Sequence, residues 1–159
     1  MSITKVIQNS RVDLLLYLLE DLVTQFMTLL KSPTCQSHAQ LLECLLSLIL
    51  GVEEKFSPFT GPILPLIVDN MGNSDWMARK ISVDAIYTLS VLMPESLENF
   101  KSELLEVLNH CRFDKIKHVR DAAIVAINII KDFATDGTVN EEETVDNFVA
   151  DEKFTAKNE

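Results

Sequence analysis

The chain repeats itself at an offset of 41 residues, and no other feature constrains its fold as tightly. Under that shift Phe59 meets Phe100, Ile63 meets Leu104, Leu64 meets Leu105 and Ile67 meets Leu108. Past a polar break, Asn73 meets Asp114, Arg79 meets Arg120, Ala85 meets Ala126, Ile86 meets Ile127 and Leu89 meets Ile130. A weaker copy lies 41 residues further upstream, with Leu18, Leu22, Val23 and Phe26 in its first half and Leu42, Cys44, Leu45 and Leu48 in its second. Apolar matches arise by chance between any two amphipathic helices. Matched Arg and Ala at fixed offsets are much rarer.

Each copy predicts two helices, because apolar residues recur at i, i+3, i+4 and i+7. The first helices are expected over 11–31, 60–71 and 95–111, and the second over 36–50, 76–92 and 117–133. Breakers stand where connections are needed: Ser32-Pro33-Thr34 and Gly72-Asn73-Ser74-Asp75 within pairs, Ser57-Pro58 and Met93-Pro94 between them. Gly61-Pro62 suits a helix start, since proline is tolerated in a first turn. Asp75 is placed to cap the helix that opens at Trp76. Paired helices at this period predict an all-α fold, an α-solenoid of about three HEAT-type helix pairs, near the minimum that buries a continuous core. The spacing Asn73…Arg79…Ala85, repeated as Asp114…Arg120…Ala126, fits the HEAT pattern of a loop acid, an Arg and a small packing residue. The first copy departs from it, with Ser37-His38 at the equivalent positions.

Composition agrees. Only four Gly and five Pro in 159 residues, with 47% apolar residues, favour long helices over turn-rich β structure. Cys35, Cys44 and Cys111 are odd in number and scattered, which suits a reducing compartment. The N-terminal Met1-Ser2-Ile3-Thr4-Lys5 has no basic region leading into an apolar core, and Leu14–Leu30 carries Glu20, Asp21 and Gln25. The expectation is a cytoplasmic protein without a membrane partner. From Ala134 to Glu159 eight acids face only Lys153 and Lys157, a charge of −6 out of the chain's −10. Two parts follow: a repeat domain over 1–134 and an acidic disordered tail over 135–159.

Against that acidity, four of the fourteen Lys and Arg residues fall in the nine positions 112–120, within Cys111-Arg112-Phe113-Asp114-Lys115-Ile116-Lys117-His118-Val119-Arg120-Asp121. Gly72-Asn73-Ser74-Asp75-Trp76-Met77-Ala78-Arg79-Lys80 has the same layout 41 residues earlier. Arg79 and Arg120 have a structural reading, pairing with acids of adjacent repeats; Asp84 and Asp121 are also available as partners on the same helices. Lys115, Lys117 and His118 precede or open a helix, where positive charge opposes the dipole, so helix stability does not account for them. Trp76 either staples the corner between helices or presents its face to a partner.

Catalysis has no motif behind it: there is no Gly-rich phosphate loop, nucleophile elbow or His-Glu-x-x-His helix. Cys35-Gln36-Ser37-His38 and His110-Cys111 lie in equivalent loops of different repeats, about one repeat apart, and are expected to be ordinary polar residues rather than a metal site. Neither an enzyme nor a cofactor is expected. Net −10 also opposes a phosphate backbone, so no nucleic acid is expected as partner.

The two loop stretches together resemble the TORTIFOLIA/SPIRAL family of plant-type microtubule-associated proteins. In that family an Asp-Trp-x-x-Arg-Lys repeat is followed by a Cys-Arg-Phe-Asp-Lys-Val-Lys-Pro-Val-Arg-Asp repeat. The resemblance covers 59–133 through its motifs and 11–58 through general repeat pattern, and it suggests the C-terminal part of a TOG-like HEAT array. It implies a non-catalytic module that binds tubulin or microtubules through the loops within its helix pairs, at the cytoskeleton. The residues carried over by position are Trp76, Arg79 and Lys80 in one loop, then Lys115, Lys117 and Arg120 in the next. The alternative is a HEAT-repeat adaptor for another protein, with no tubulin affinity.

Overall fold

A computed structural model describes residues 12–133. Helix α1 (Val12–Lys31) pairs with α2 (His38–Val52), α3 (Ser57–Asn70) with α4 (Trp76–Leu92), and α6 (Lys101–Cys111) with α7 (Lys117–Asp132). The short α5 (Pro94–Leu97) and a 3₁₀ turn, Glu98–Phe100, lead into α6. The second helices α2, α4 and α7 pack side by side in one layer, α4 in the middle. The first helices form the other layer. The described residues contain no strand, and the three stacked pairs make the all-α solenoid that the 41-residue period predicts.

Small residues line the packed faces of α4 and α7. Ala78, Ser82 and Ala85 on α4, and Ala123 and Ala126 on α7, are all fully buried. Around them Ile63, Ile67, Ile86, Leu89, Leu104, Leu108, Ile127 and Ile130 form one continuous core, extended to the first pair by Leu42, Leu45, Leu48 and Ile49. Every apolar pair matched from Ile63/Leu104 to Leu89/Ile130 is therefore a core pair, apart from half-buried Leu105. The repeat is a repeat of packing.

Two local expectations need correction. Helix α3 starts at Ser57 rather than at Gly61-Pro62, so Pro58 takes the first turn while Pro62 and Pro65 lie inside the helix. It tolerates them because all three prolines share an exposed face, where the carbonyls that lose their amide donors are open to water. The helix expected over 95–111 is broken at Glu98–Phe100, which lets both Leu97 and Leu104 reach the core. At the end of α2, Glu53 takes a positive φ of 52°, the one non-glycine residue to do so among those described. The expected tail, 135–159, lies outside the described residues.

Candidate partner-binding edge

The loops within the second and third helix pairs are built by the same device. In the first, the Asn73 side-chain oxygen accepts from the Asp75 amide at 2.9 Å. In the second, the Asp114 carboxylate accepts from the Ile116 amide at 2.8 Å. Each turns the chain sharply two residues ahead of the helix, as Asn and Asp side chains do. Asp75 then caps α4 by accepting from the Met77 amide at 2.9 Å, as expected. Each loop is also tied to the helix that follows. Arg79 Nη1 donates to the Asn73 carbonyl at 2.9 Å, and Arg120 Nη1 to the Asp114 carbonyl at 2.7 Å.

Arg79 goes further. Its Nε and Nη2 donate to the two carboxylate oxygens of Asp114 at 2.7 and 3.0 Å, a bidentate clasp between one repeat and the next. The side chains are 9% and 11% exposed, so water screens the pair poorly. The guanidinium bond holds the Asp114 carboxyl below its ordinary range, against the opposing effect of burial; the Ile116 amide adds to the lowering. Arg79 is correspondingly pushed upward by that bond. Nearby Cys111 is buried, and burial first, then the Asp114 charge, raises its thiol.

The arginine partners suggested by the sequence are therefore not the ones used. Asp84 is taken by Lys80 at 2.6 Å and Asp121 by Lys117 at 2.7 Å, both i,i+4 pairs along one helix. Lys117 thus has a local partner that was not foreseen. Its pair is well exposed, 74% and 52%, so it contributes little to stability and leaves the ammonium open to exchange partners. Lys117 also pulls the Asp121 carboxyl below its usual range through that bond. Lys115 is exposed and forms no hydrogen bond or ion pair among the described residues.

Trp76 is 38% exposed and stacks on His118, with ring centroids 6.0 Å apart at 30°. Trp76 opens α4 and His118 lies in the first turn of α7, so the contact joins the two loop ends of the repeats. Trp76, Lys80, Lys115, Lys117 and His118 share one edge, with Arg79 beneath it at 7% exposure. A shallow groove continues from there between α4 and α7, lined by Lys80, Asp84, Tyr87, His118, Asp121 and Val125. Sequence reasoning passed over Phe113, which is 85% exposed at the tip of the second loop. Its signal was its place between Arg112 and Asp114, beyond the last core position of α6. The first pair contributes no such edge: in Ser32–Ser37 the ties are among small polar groups, such as Ser32 Oγ to Thr34 Oγ1 at 3.0 Å.

Other chemistry is sparse. His38 Nε2 lies 3.3 Å from the Leu30 carbonyl and His110 Nδ1 2.9 Å from the Glu106 carbonyl, each an ordinary helix-end contact. No group of three or more His, Cys, Asp or Glu suited to a metal ion occurs among the described residues. Among them, too, no helix is long and apolar enough to cross a membrane.

The chain is similar to several proteins of Arabidopsis thaliana. It is 29% identical to TORTIFOLIA1-like protein 4 over 108 residues, 68% of this chain and 17% of that protein. It is 32% identical to microtubule-associated protein TORTIFOLIA1 over 69 residues, 43% of this chain and 8% of that protein. It is 35% identical to TORTIFOLIA1-like protein 2 over 63 residues, 40% and 8% respectively. The chain thus spans less than a fifth of the length of each of these relatives. The family model described as TORTIFOLIA1 N-terminal matches residues 1–132, so the likeness includes the first helix pair as well as the two motif-bearing repeats, and it is to an N-terminal domain rather than to the C-terminal part of an array as such. The chain belongs to the TORTIFOLIA1 N-terminal family.

Proposed function

We propose that this chain is a non-catalytic, TOG-like HEAT-repeat module, carried by residues 1–134 with 135–159 as an acidic extension, that binds tubulin or microtubules through the edge formed by the loops of its second and third helix pairs. The observation that carries this reading is the exposure of Trp76 and Lys115 on one edge, locked together by the Arg79–Asp114 clasp. One relative is a microtubule-associated protein, and that supplies the partner class. Physical chemistry supports the pairing: a basic, aromatic edge on a chain of net charge −10 orients the encounter with an acidic surface. Trp76, Lys80, Lys115 and Lys117 make the contacts, and Phe113 extends them at the loop tip. Arg79 and Arg120 hold the loops that present them.

Charge reversal at Lys115 and Lys117 tests this in a microtubule co-sedimentation assay at low and moderate salt. Loss of pelleting with helicity unchanged is the expected result, and undiminished pelleting overturns it. If the wild-type chain, folded, binds neither microtubules nor soluble tubulin, the adaptor reading takes its place. The exposed Tyr87, Val91 and Val125 of α4 and α7 would then offer the binding surface.

A further inference from the structure

Arg79 and Arg120 occupy the same place in successive repeats, yet only one completes its bonding. Arg79 spends Nη1 on its own loop and gives Nε and Nη2 to the carboxylate of the next loop. Arg120 makes the first bond alone. Its Nε and Nη2 have no acceptor among the described residues. The neighbouring position differs in the same sense: Val83 on α4 is fully buried, while its counterpart Ile124 on α7 is 46% exposed. The outer face of α7 therefore offers half a guanidinium fork beside an open β-branched side chain.

We infer that the acidic run Glu141-Glu142-Glu143 of this same chain docks on that face, its carboxylates taking the place at Arg120 that Asp114 takes at Arg79. The fork chooses the chemistry, because guanidinium binds a carboxylate in bidentate fashion more readily than a neutral acceptor. Sign agrees as well: Lys115, Lys117 and Arg120 meet three consecutive acids. Reach fixes which acids. From Arg120 to Asp132 the helix rises roughly 18 Å at 1.5 Å per residue. The segment 134–140, leaving α7 after Phe133 and running back along it, spans at most about 25 Å. Glu141–Glu143 is therefore the first acidic run able to lie level with Arg120, and Val139 just before it passes near Ile124. Asp136 is too close to the end of α7 to reach. Tethering raises the local concentration of these acids to the millimolar range, enough for a weak contact to be populated.

The test compares the full chain of 159 residues with its E141Q/E142Q/E143Q variant by ¹⁵N NMR, reading the Arg120 Nε–H and the backbone amides of 115–124. The substitutions leave the sequence of residues 12–133 unchanged, and the helix content of the two proteins by circular dichroism checks that both fold alike. The expected outcome is a resolved shift of these signals between the two proteins, independent of protein concentration. It should vanish at roughly 1 M salt, where the screening length falls to about 3 Å. Identical spectra overturn the inference. So does a difference that grows with concentration, since the acids would then belong to a second copy. Neither result bears on microtubule binding, which the measurement does not involve.

Discussion

Arg79 clasps Asp114 across the joint between two repeats, 2.7 and 3.0 Å from its two carboxylate oxygens, while holding the Asn73 carbonyl of its own loop at 2.9 Å. Removing either partner leaves the other charge stranded where only about a tenth of each side chain meets water. Arg79→Ala should therefore destabilise the protein by about 3 kcal/mol in urea unfolding. Arg79→Lys, which keeps the charge and loses the fork, should cost about half as much. Asp114→Asn separates the two duties of that residue, since Asn73 shows that an amide makes the turn equally well. A cost for Asp114→Asn below about 0.5 kcal/mol would mean that the charge contributes nothing net.

The same pair sets an acid response. Asp114 is depressed in the folded protein, so it binds its proton more weakly there than in the unfolded chain. Its stabilisation is present above the unfolded carboxylate pKa of about 3.9 and is lost as pH falls through the lower folded value. Unfolding free energy measured from pH 6 downward should decline more gently in Asp114→Asn than in wild type. The difference should survive added salt, because the pair is buried. The exposed Lys117–Asp121 pair should contribute an acid dependence that salt removes.

Ser90 on α4 is fully buried, and its hydroxyl has no hydrogen-bond partner among the described residues. An unsatisfied buried hydroxyl costs free energy that alanine does not incur. Ser90→Ala should raise stability by about 1 kcal/mol in thermal or urea unfolding. A loss of stability would show that the oxygen is bonded in solution, to water or to a shifted carbonyl.

Glu53 ends α2 at φ 52° and ψ −130°, a conformation that suits a residue without Cβ. Its side chain is exposed, so little packing is lost on truncation. Glu53→Gly should be neutral to stabilising by about 1 kcal/mol, whereas glycine elsewhere in α2 should cost about that much. A melting temperature that falls in Glu53→Gly would contradict the strained reading.

Phe113 stands 85% exposed beside Lys115. Phe113→Ala should change stability by less than about 0.5 kcal/mol, while lowering microtubule pelleting if the proposed edge is the contact surface. Equal pelleting by the two proteins would remove Phe113 from that surface.

The helices were legible because packing repeats: Ala85, Ala126, Ile86 and Ile127 face the core in both copies, and a 41-residue shift displays them. That Arg79 would pair with an acid of an adjacent repeat was legible, but which acid was not, because partners along a helix can be counted off in sequence and partners between repeats cannot. Asp84 and Asp121, four positions from Lys80 and Lys117, looked like the acids of the arginines and proved to belong to the lysines. Asp114 stood in plain sight as the partner of Asn73 in the register. Only the stacking of α4 against α7 brings it to Arg79, 35 residues away. The Trp76–His118 contact was hidden for the same reason, since neither ring has a neighbour in its own repeat that predicts it. The start of α3 already at Ser57 and the break at Glu98–Phe100 were missed, the second because it is settled by Leu97 and Leu104 both reaching the core.

Because the fork that shapes the first loop closes on a residue of the second, neither loop is a portable unit. A graft of residues 72–80 into another scaffold would carry Arg79 without its carboxylate, and a graft of 111–121 would carry Asp114 without its fork. The smallest transplantable piece runs from Gly72 through Arg120, joint included. Sequence drift in these repeats is bound by the same rule: a change at Asp114 is first of all a change to its neighbour's loop.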